Sequence, residues 1–124
     1  MLATPWPAPF DDEDWWFELK WDGYRLLARI DGGRVTLRSR NGLDWTADYP
    51  DIVAALEGLG VASASLDGEL IALDDKGRNS FTALQRTIEG SANAVLRYVV
   101  FDLPTLAGID LAGWKCDGWP VVTV

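Results

Sequence analysis

A lysine set among aromatic and charged residues is the first position in this sequence that could carry chemistry. Lys20 precedes a tryptophan and stands two positions from both Glu18 and Asp22. A lysine amine attacks electrophiles only in its neutral form, which burial and nearby positive charge both favour. The surrounding tryptophans and Arg25 would favour the neutral amine, whereas the two carboxylates would favour the charged one. A simpler interpretation is a surface lysine whose stem packs on tryptophan while its charge pairs with Glu18.

Positive charge is concentrated around this lysine, although the chain as a whole is acidic. The formal net charge is -8, from 11 Lys and Arg against 19 Asp and Glu. Between positions 20 and 40, however, six residues are basic and two are acidic. The total charge therefore argues against a protein coated in basic residues, but it does not describe this segment.

Histidine is absent and cysteine occurs once, which removes several classes of mechanism. Ser-His-Asp and Cys-His catalysis, HExxH zinc sites and imidazole proton shuttles are all excluded. Cys116 alone cannot form an internal disulfide or a thiolate zinc cage, which fits a reducing compartment. No stretch approaches the ~20 apolar residues of a membrane span, and no leader pattern opens the chain. We therefore expect a cytoplasmic protein, with no membrane partner, whose reactive groups come from other residue types.

The elements that must position these residues follow from the hydrophobic pattern. Segments with alternating or aromatic-rich character predict strands, and segments with apolar residues at helical spacing predict two short helices. The predicted strands cover 15–21, 24–30, 34–40, 65–73 and 95–103, and the predicted helices cover 49–59 and 81–88, the second with Ser80 as its N-cap. The pattern predicts a mixed α+β fold, mainly antiparallel, with short helices.

Four short motifs resemble, in order and spacing, those of the covalent nucleotidyltransferases. Lys-Trp-Asp-Gly-Tyr-Arg at 20–25 resembles the Lys-x-Asp-Gly-x-Arg motif of ATP-dependent DNA ligases, RNA ligases and mRNA capping enzymes. Ser-Arg-Asn-Gly at 39–42, Leu-Asp-Gly-Glu-Leu-Ile at 66–71 and Tyr-Val-Val-Phe-Asp-Leu at 98–103 look like the motifs that follow. The details most resemble the ligase domain of bacterial ATP-dependent DNA ligases used in end joining.

The resemblance implies a role for each matching residue. Lys20 would attack the α-phosphate of ATP, expel pyrophosphate and become Lys-AMP. Glu18 would line the adenine side of the pocket, Glu69 would bind the ribose hydroxyls and Phe101 would stack on adenine. Taken alone, Glu69 could pair with a nearby Lys or Arg, and Phe101 would more often be a core residue than a platform for a base. The four motifs together favour the functional interpretation.

The resemblance also implies ligands for phosphate and metal. Arg25 and Arg40 would contact the nucleotide and later the 5'-phosphate of DNA, because planar guanidinium groups suit phosphate oxygens. A divalent cation, normally Mg²⁺, would neutralise the charge on the leaving pyrophosphate. Asp22 and Glu69 are local candidates for contact with it, but no ligand set is assigned. The macromolecular partner would be nicked or broken double-stranded DNA, so the protein would associate with the bacterial nucleoid when bound.

A complete member of this family contains further elements that these 124 residues lack. They are a Glu-Gly-containing motif, a Lys-x-Lys motif and an OB-fold domain. We therefore interpret 1–111 as the N-terminal part of an adenylation domain, the ATP-grasp-like nucleotidyltransferase fold, and 112–124 as a divergent tail. We do not expect this chain alone to seal nicks.

Two other functions remain open at this point. The first is a non-catalytic ligase remnant, or one half of a split ligase whose partner supplies the missing half. The second is an RNA ligase or a capping-type nucleotidyltransferase, because both share the lysine motif. A competition of ATP against GTP and of nicked DNA against nicked RNA would separate the second from a DNA ligase.

Overall fold

One antiparallel sheet organises the computed structural model, which describes residues 19–111 together with 7–8, 10–11, 13 and 113. The sheet has the strand order β2-β1-β3-β4-β5, and every neighbouring pair is antiparallel. Its elements are β1 (Tyr24–Asp31), β2 (Arg34–Ser39), α1 (Pro50–Glu57), β3 (Ser63–Leu73), α2 (Phe81–Ile88), β4 (Val95–Leu106) and β5 (Ile109–Asp110). The α+β prediction is confirmed.

The hairpin of β1 and β2 shows how the sequence pattern sets the two faces of the sheet. Leu26, Ala28 and Ile30 are buried, whereas the alternate residues of β1 are exposed. This alternation follows from the period of two along a strand. A two-glycine turn at Gly32 and Gly33, both with positive φ (57° and 78°), joins the strands, as hairpin turns of this length require.

Both helices lie on the buried face. α1 contributes Ile52 and Leu56 to the core and packs on β2, while α2 contributes Leu84 and packs on β3. The Ser80 hydroxyl accepts a hydrogen bond from the Ala83 amide (3.2 Å), so the predicted N-cap is confirmed. Within the described part of the chain, the opposite face of the sheet carries no helix. We call it the open face; it presents Arg25, Asp67, Glu69 and Phe101.

The predicted strand at 15–21 is wrong in the part that the structure describes. Residues 19–22 have no regular secondary structure, and Leu19 is 78% exposed. The backbone of Asp22 and Gly23 instead bonds to side chains of distant residues. Positions 14–18, including Glu18, lie outside the described residues, as does the predicted tail except for Gly113.

The last strand runs further than predicted. β4 continues through Pro104 to Leu106 and turns at Ala107 and Gly108, both with positive φ, into β5. Proline has no amide hydrogen and usually ends a ladder. Here Pro104 falls in an irregular stretch of the β3–β4 register, between Asp67↔Asp102 and Ser65↔Thr105, so no regular pairing is interrupted. Among the described residues, no helix has the length and apolar content needed to cross a membrane.

Candidate nucleotide site

The loop that carries Lys20 is fastened to two other parts of the fold. The amide of Asp22 donates to Asn79 Oδ1 (3.0 Å), and Asn79 Nδ2 donates back to the Asp22 carbonyl (3.1 Å). The amide of Gly23 donates to Glu69 Oε1 (3.1 Å). The side chain of Lys20 itself is exposed rather than packed in an aromatic environment. The backbone after the lysine is therefore fixed, while its amine faces solvent.

Two motif glycines are required because backbone segments approach each other closely. A Cβ on Gly23 would lie 2.1 Å from the carbonyl oxygen of Leu70. A Cβ on Gly68 would lie 2.3 Å from the carbonyl oxygen of Val99 and 2.7 Å from the ring of Tyr98. Real Cβ atoms do not come this close to a backbone oxygen, so both positions exclude a side chain. The glycines let the motif loop rest on β3 and let β3 rest on β4.

Tyr98 supports β1 and β3 from the buried face of the sheet. Its side chain is fully buried, and its hydroxyl lies 2.9 Å from the Leu26 carbonyl and 3.2 Å from the Leu66 carbonyl. Burial raises the pKa of the Tyr98 hydroxyl, and the charge of Asp67 adds to this effect. The hydroxyl therefore stays protonated and donates to carbonyl groups of β1 and β3, which it ties to its own strand.

Arg25 and Asp67 form a two-point ion pair on the open face. Nε of Arg25 lies 2.5 Å from Oδ1 of Asp67, and Nη2 lies 2.5 Å from Oδ2. This hydrogen bonding raises the pKa of Arg25, partly opposed by desolvation, and the nearby charges of Glu69 and Asp102 act in the same direction as Asp67. Asp67 therefore occupies one edge of the guanidinium that the sequence assigned to phosphate.

Phe101 reaches the same face through an irregularity in β4. The register shifts between Asp67↔Asp102 and Gly68↔Val100, which leaves Phe101 as the extra residue. Such bulges re-aim a side chain. The ring is 40% exposed, and the guanidinium carbon of Arg25 lies 4.7 Å from its centroid. An aromatic ring is thus presented beside the arginine instead of entering the core.

Arg40 lies at the end of the hairpin that carries Arg25. It follows Ser39, which is the register partner of Leu26, and its side chain is exposed. The turn after it is closed by the Ser39 hydroxyl, which accepts from the Leu43 amide (3.1 Å). The structure therefore brings Arg40 to the same end of the hairpin as Arg25, although no contact joins the two side chains.

The described carboxylates do not form a protein metal centre. Asp67, Glu69 and Asp102 lie near Arg25, and Asp22 is exposed on the loop. In the part of the chain that the structure describes, no group of three or more His, Cys, Asp or Glu side chains could hold a metal ion. The two candidates named from the sequence, Asp22 and Glu69, are therefore not assembled into such a ligand set.

Sequence reasoning located the main residues of this face but missed three that hold it together. Asp67 stands two positions before Glu69, so strand alternation could have placed it on the same face. Tyr98 was part of a motif, but nothing in the sequence indicated that its hydroxyl ties β1 to β3. Asn79 is 57 positions from Asp22 and gave no signal. Glu18 lies outside the described residues.

Comparisons with known proteins give one consistent answer. The ATP dependent DNA ligase domain family matches residues 1–116. The multifunctional non-homologous end joining protein LigD of Pseudomonas aeruginosa is 50% identical over 98 residues, covering 79% of this chain and 12% of LigD. LigD of Mycobacterium bovis is 44% identical over 116 residues, covering 93% of this chain and 15% of LigD. The chain therefore spans less than a sixth of the length of these relatives.

Comparison with solved structures gives the same family as the sequence comparisons. Mycobacterial DNA ligase D in complex with ATP and MES superimposes with a TM-score of 0.67 at 42% identity, covering 79% of this chain and 32% of that one. The ligase domain of LigD from Mycobacterium tuberculosis matches with the same values. At 42% identity the likeness covers the amino-acid sequence as well as the fold.

Proposed function

Because the chain belongs to the ATP-dependent DNA ligase domain family, we propose that its open face binds ATP and that Lys20 accepts the adenylyl group. The neutral Nζ forms a bond to the α-phosphorus while the bond from that phosphorus to the bridging oxygen of the β-phosphate breaks. Pyrophosphate leaves with the electron pair, and the amine loses a proton to solvent. The product is a phosphoramidate, Lys20-AMP.

The hydrogen bond from the Gly23 amide to Glu69 is the observation that carries this proposal. It joins the loop of the nucleophile to the carboxylate on β3 that would bind the ribose. One oxygen of Glu69 accepts from this amide; among the described residues the other makes no hydrogen bond, so it is available to a ribose hydroxyl. The ribose and the lysine would then be positioned by the same side chain.

The remaining contacts with ATP follow from the same face. Phe101 offers an exposed ring on which adenine would stack. Asp67 occupies Nε and Nη2 of Arg25 and leaves the Nη1 donors for a phosphate oxygen. Arg40 would meet a second phosphate group, either of ATP or at the 5' end of a DNA strand. We also propose that Glu18 contributes backbone contacts on the adenine side.

The family implies a divalent cation, which supplies charge neutralisation to a leaving pyrophosphate. Because the described carboxylates form no cage of three or more ligands, we propose that the triphosphate itself is its principal ligand. Mg²⁺ is commonly bound in this way, through substrate phosphates and one or two carboxylates.

We propose that adenylyl transfer is the step these residues contribute to the sealing of broken double-stranded DNA. The relatives are named as non-homologous end joining proteins. This chain covers 32% of the DNA ligase D structure. Sealing would therefore depend on the rest of a ligase, in the same polypeptide or as a partner chain. A remnant that only binds a partner is the second candidate, and it predicts no covalent adduct.

Intact mass spectrometry after incubation with ATP and Mg²⁺ tests the proposal. An increment of one AMP is expected in the wild type and in Lys76→Ala, which removes an exposed lysine outside the face. Lys20→Ala should abolish it. No adduct in the wild type, or an adduct that survives Lys20→Ala, would contradict the proposal. GTP in place of ATP should give no adduct, and a preference for GTP would favour the capping alternative.

A further inference from the structure

Asn79 makes a contact that few side chains could replace. Its amide group accepts from the backbone N–H of Asp22 and donates to the backbone carbonyl of the same residue, at 3.0 and 3.1 Å. The side chain therefore imitates the backbone of a neighbouring strand. Only an amide offers a donor and an acceptor side by side at this reach, because a carboxylate cannot donate and a hydroxyl has a single oxygen.

The turn that holds Asn79 is itself held by several hydrogen bonds. Both oxygens of Asp74 are engaged: Oδ1 accepts from the amides of Lys76 and Arg78, and Oδ2 accepts from the guanidinium of Arg78 at 2.9–3.0 Å. Asn79 pairs with Leu73 in an isolated bridge, and the amide of Ser80 donates to the Ala72 carbonyl (3.0 Å). Asn79 is thereby fixed between the end of β3 and the N-cap of α2.

We propose that Asn79 is a positioning residue for Lys20. It holds the peptide two residues after the lysine, while Glu69 holds the next residue, so that two successive backbone units are fixed against β3 and its following turn. This inference rests on the proposed function of Lys20 and adds to it a residue outside the four motifs. Because Asn79 bonds to protein backbone and not to ATP, it acts on the orientation of the amine rather than on nucleotide affinity.

Single-turnover formation of the AMP adduct tests this role. Asn79→Ala should slow adduct formation by about 10- to 100-fold, the usual effect of misplacing a reacting group by about 1 Å. The ATP concentration that gives half the maximal rate should change by less than about 2-fold, because Asn79 makes no contact with ATP and its loss leaves the binding of ATP unchanged. Asn93→Ala removes an exposed asparagine from the α2–β4 loop and should match the wild type.

Amide hydrogen exchange gives a second measurement that does not depend on activity. The Asp22 amide should exchange at least about 5-fold faster in Asn79→Ala, while the Leu26 amide in β1 stays protected and shows that the protein is folded. Asn79→Asp keeps the acceptor but loses the donor. At pH 7 the carboxylate would face the Asp22 carbonyl without a donor, so the Asp22 amide should exchange faster than in the wild type. Below about pH 4, where a protonated carboxyl donates to the Asp22 carbonyl, its protection should return toward that of the wild type.

The outcomes separate this inference from the proposed function. An adduct rate in Asn79→Ala equal to that of the wild type would overturn the positioning role and leave the function of Lys20 standing. An equal loss of ATP affinity and rate would also overturn it. If the wild type forms no adduct, the proposed function fails and the positioning role fails with it, whatever the exchange of the Asp22 amide shows.

Discussion

Arg25 and Asp67 are joined by two parallel hydrogen bonds across the first and third strands, and the guanidinium lies over the ring of Phe101. Asp67 is 15% exposed and Arg25 is 46% exposed, so the pair is partly shielded from water. An arginine of the lysine motif is thus oriented by a carboxylate of the third motif before any ligand binds. Its free edge faces the surface where the nucleotide is proposed to lie.

Removing Asp67 should destabilise the protein more than removing an exposed partner. Asp67→Ala should lower the free energy of unfolding by about 1 kcal/mol, because a two-point, partly shielded pair is lost while the exposed half of Arg25 remains solvated. Asp31→Ala is the matched control, since both members of the Arg29–Asp31 pair are more than 70% exposed. Its effect should stay below about 0.5 kcal/mol. Urea denaturation measures the free energy of unfolding of both variants. An equal loss in Asp67→Ala and Asp31→Ala would contradict the argument that shielding from water strengthens the Arg25–Asp67 pair.

The buried hydroxyl of Tyr98 should contribute to stability in a pH-dependent way. Tyr98→Phe should lower the free energy of unfolding at pH 7 by about 1–2 kcal/mol, because two buried carbonyl groups lose their shared donor. The folded-state pKa of Tyr98 is raised, so its contribution is complete below the unfolded pKa of about 10 and declines as pH rises above it.

Urea denaturation at pH 7 and at pH 11 measures this dependence. The free energies of unfolding of the wild type and of Tyr98→Phe should differ less at pH 11 than at pH 7. The reason is that ionisation of Tyr98 in the unfolded chain favours unfolding, and this can happen only in the wild type. Tyr24→Phe is a useful comparison because Tyr24 is only half-buried. If Tyr98→Phe lowers the free energy of unfolding by the same amount at pH 7 and at pH 11, the raised pKa of Tyr98 is contradicted.

Gly23→Ala should strongly slow adduct formation. The new Cβ would meet the Leu70 carbonyl at 2.1 Å, so the loop would have to move and release its bond to Glu69. We expect the rate of adduct formation to fall by about 100-fold or more. Gly113→Ala, where a Cβ meets nothing within 4 Å, is the control and should react like the wild type. A Gly23→Ala protein that retains its adduct rate would show that the anchoring of the loop is dispensable.

Phe101→Leu should weaken ATP binding without unfolding the sheet. Leucine keeps an apolar side chain at the 40% exposed position but removes a stacking surface worth about 1–3 kcal/mol per base. The dissociation constant for ATP, measured by calorimetry, should rise by about 10-fold. Val95→Ala changes another exposed residue of β4, and its ATP affinity should remain that of the wild type. Unchanged affinity in Phe101→Leu would place adenine elsewhere.

Local patterns predicted most of the regular elements. The hairpin of β1 and β2, the central strand β3 and both helices form close to the predicted bounds, because alternation, helical spacing, turn glycines and the Ser80 cap all act over short distances. The strand predicted over 15–21 failed in its described part. Aromatic composition favours a strand, but residues 19–22 find no neighbouring strand, and the backbone of Asp22 bonds to the side chain of Asn79 instead.

By itself, the sequence determined the family, the order of the four motifs and the residues to be tested on the open face. The tertiary structure decided how those residues are held, because the deciding contacts join residues 42 to 57 positions apart. Asp67 occupies one edge of Arg25, and Asn79 fastens the backbone after Lys20. A bulge that presents Phe101 likewise depends on how β4 meets β3. Such contacts leave no periodic trace in a sequence, since they depend on which strands become neighbours.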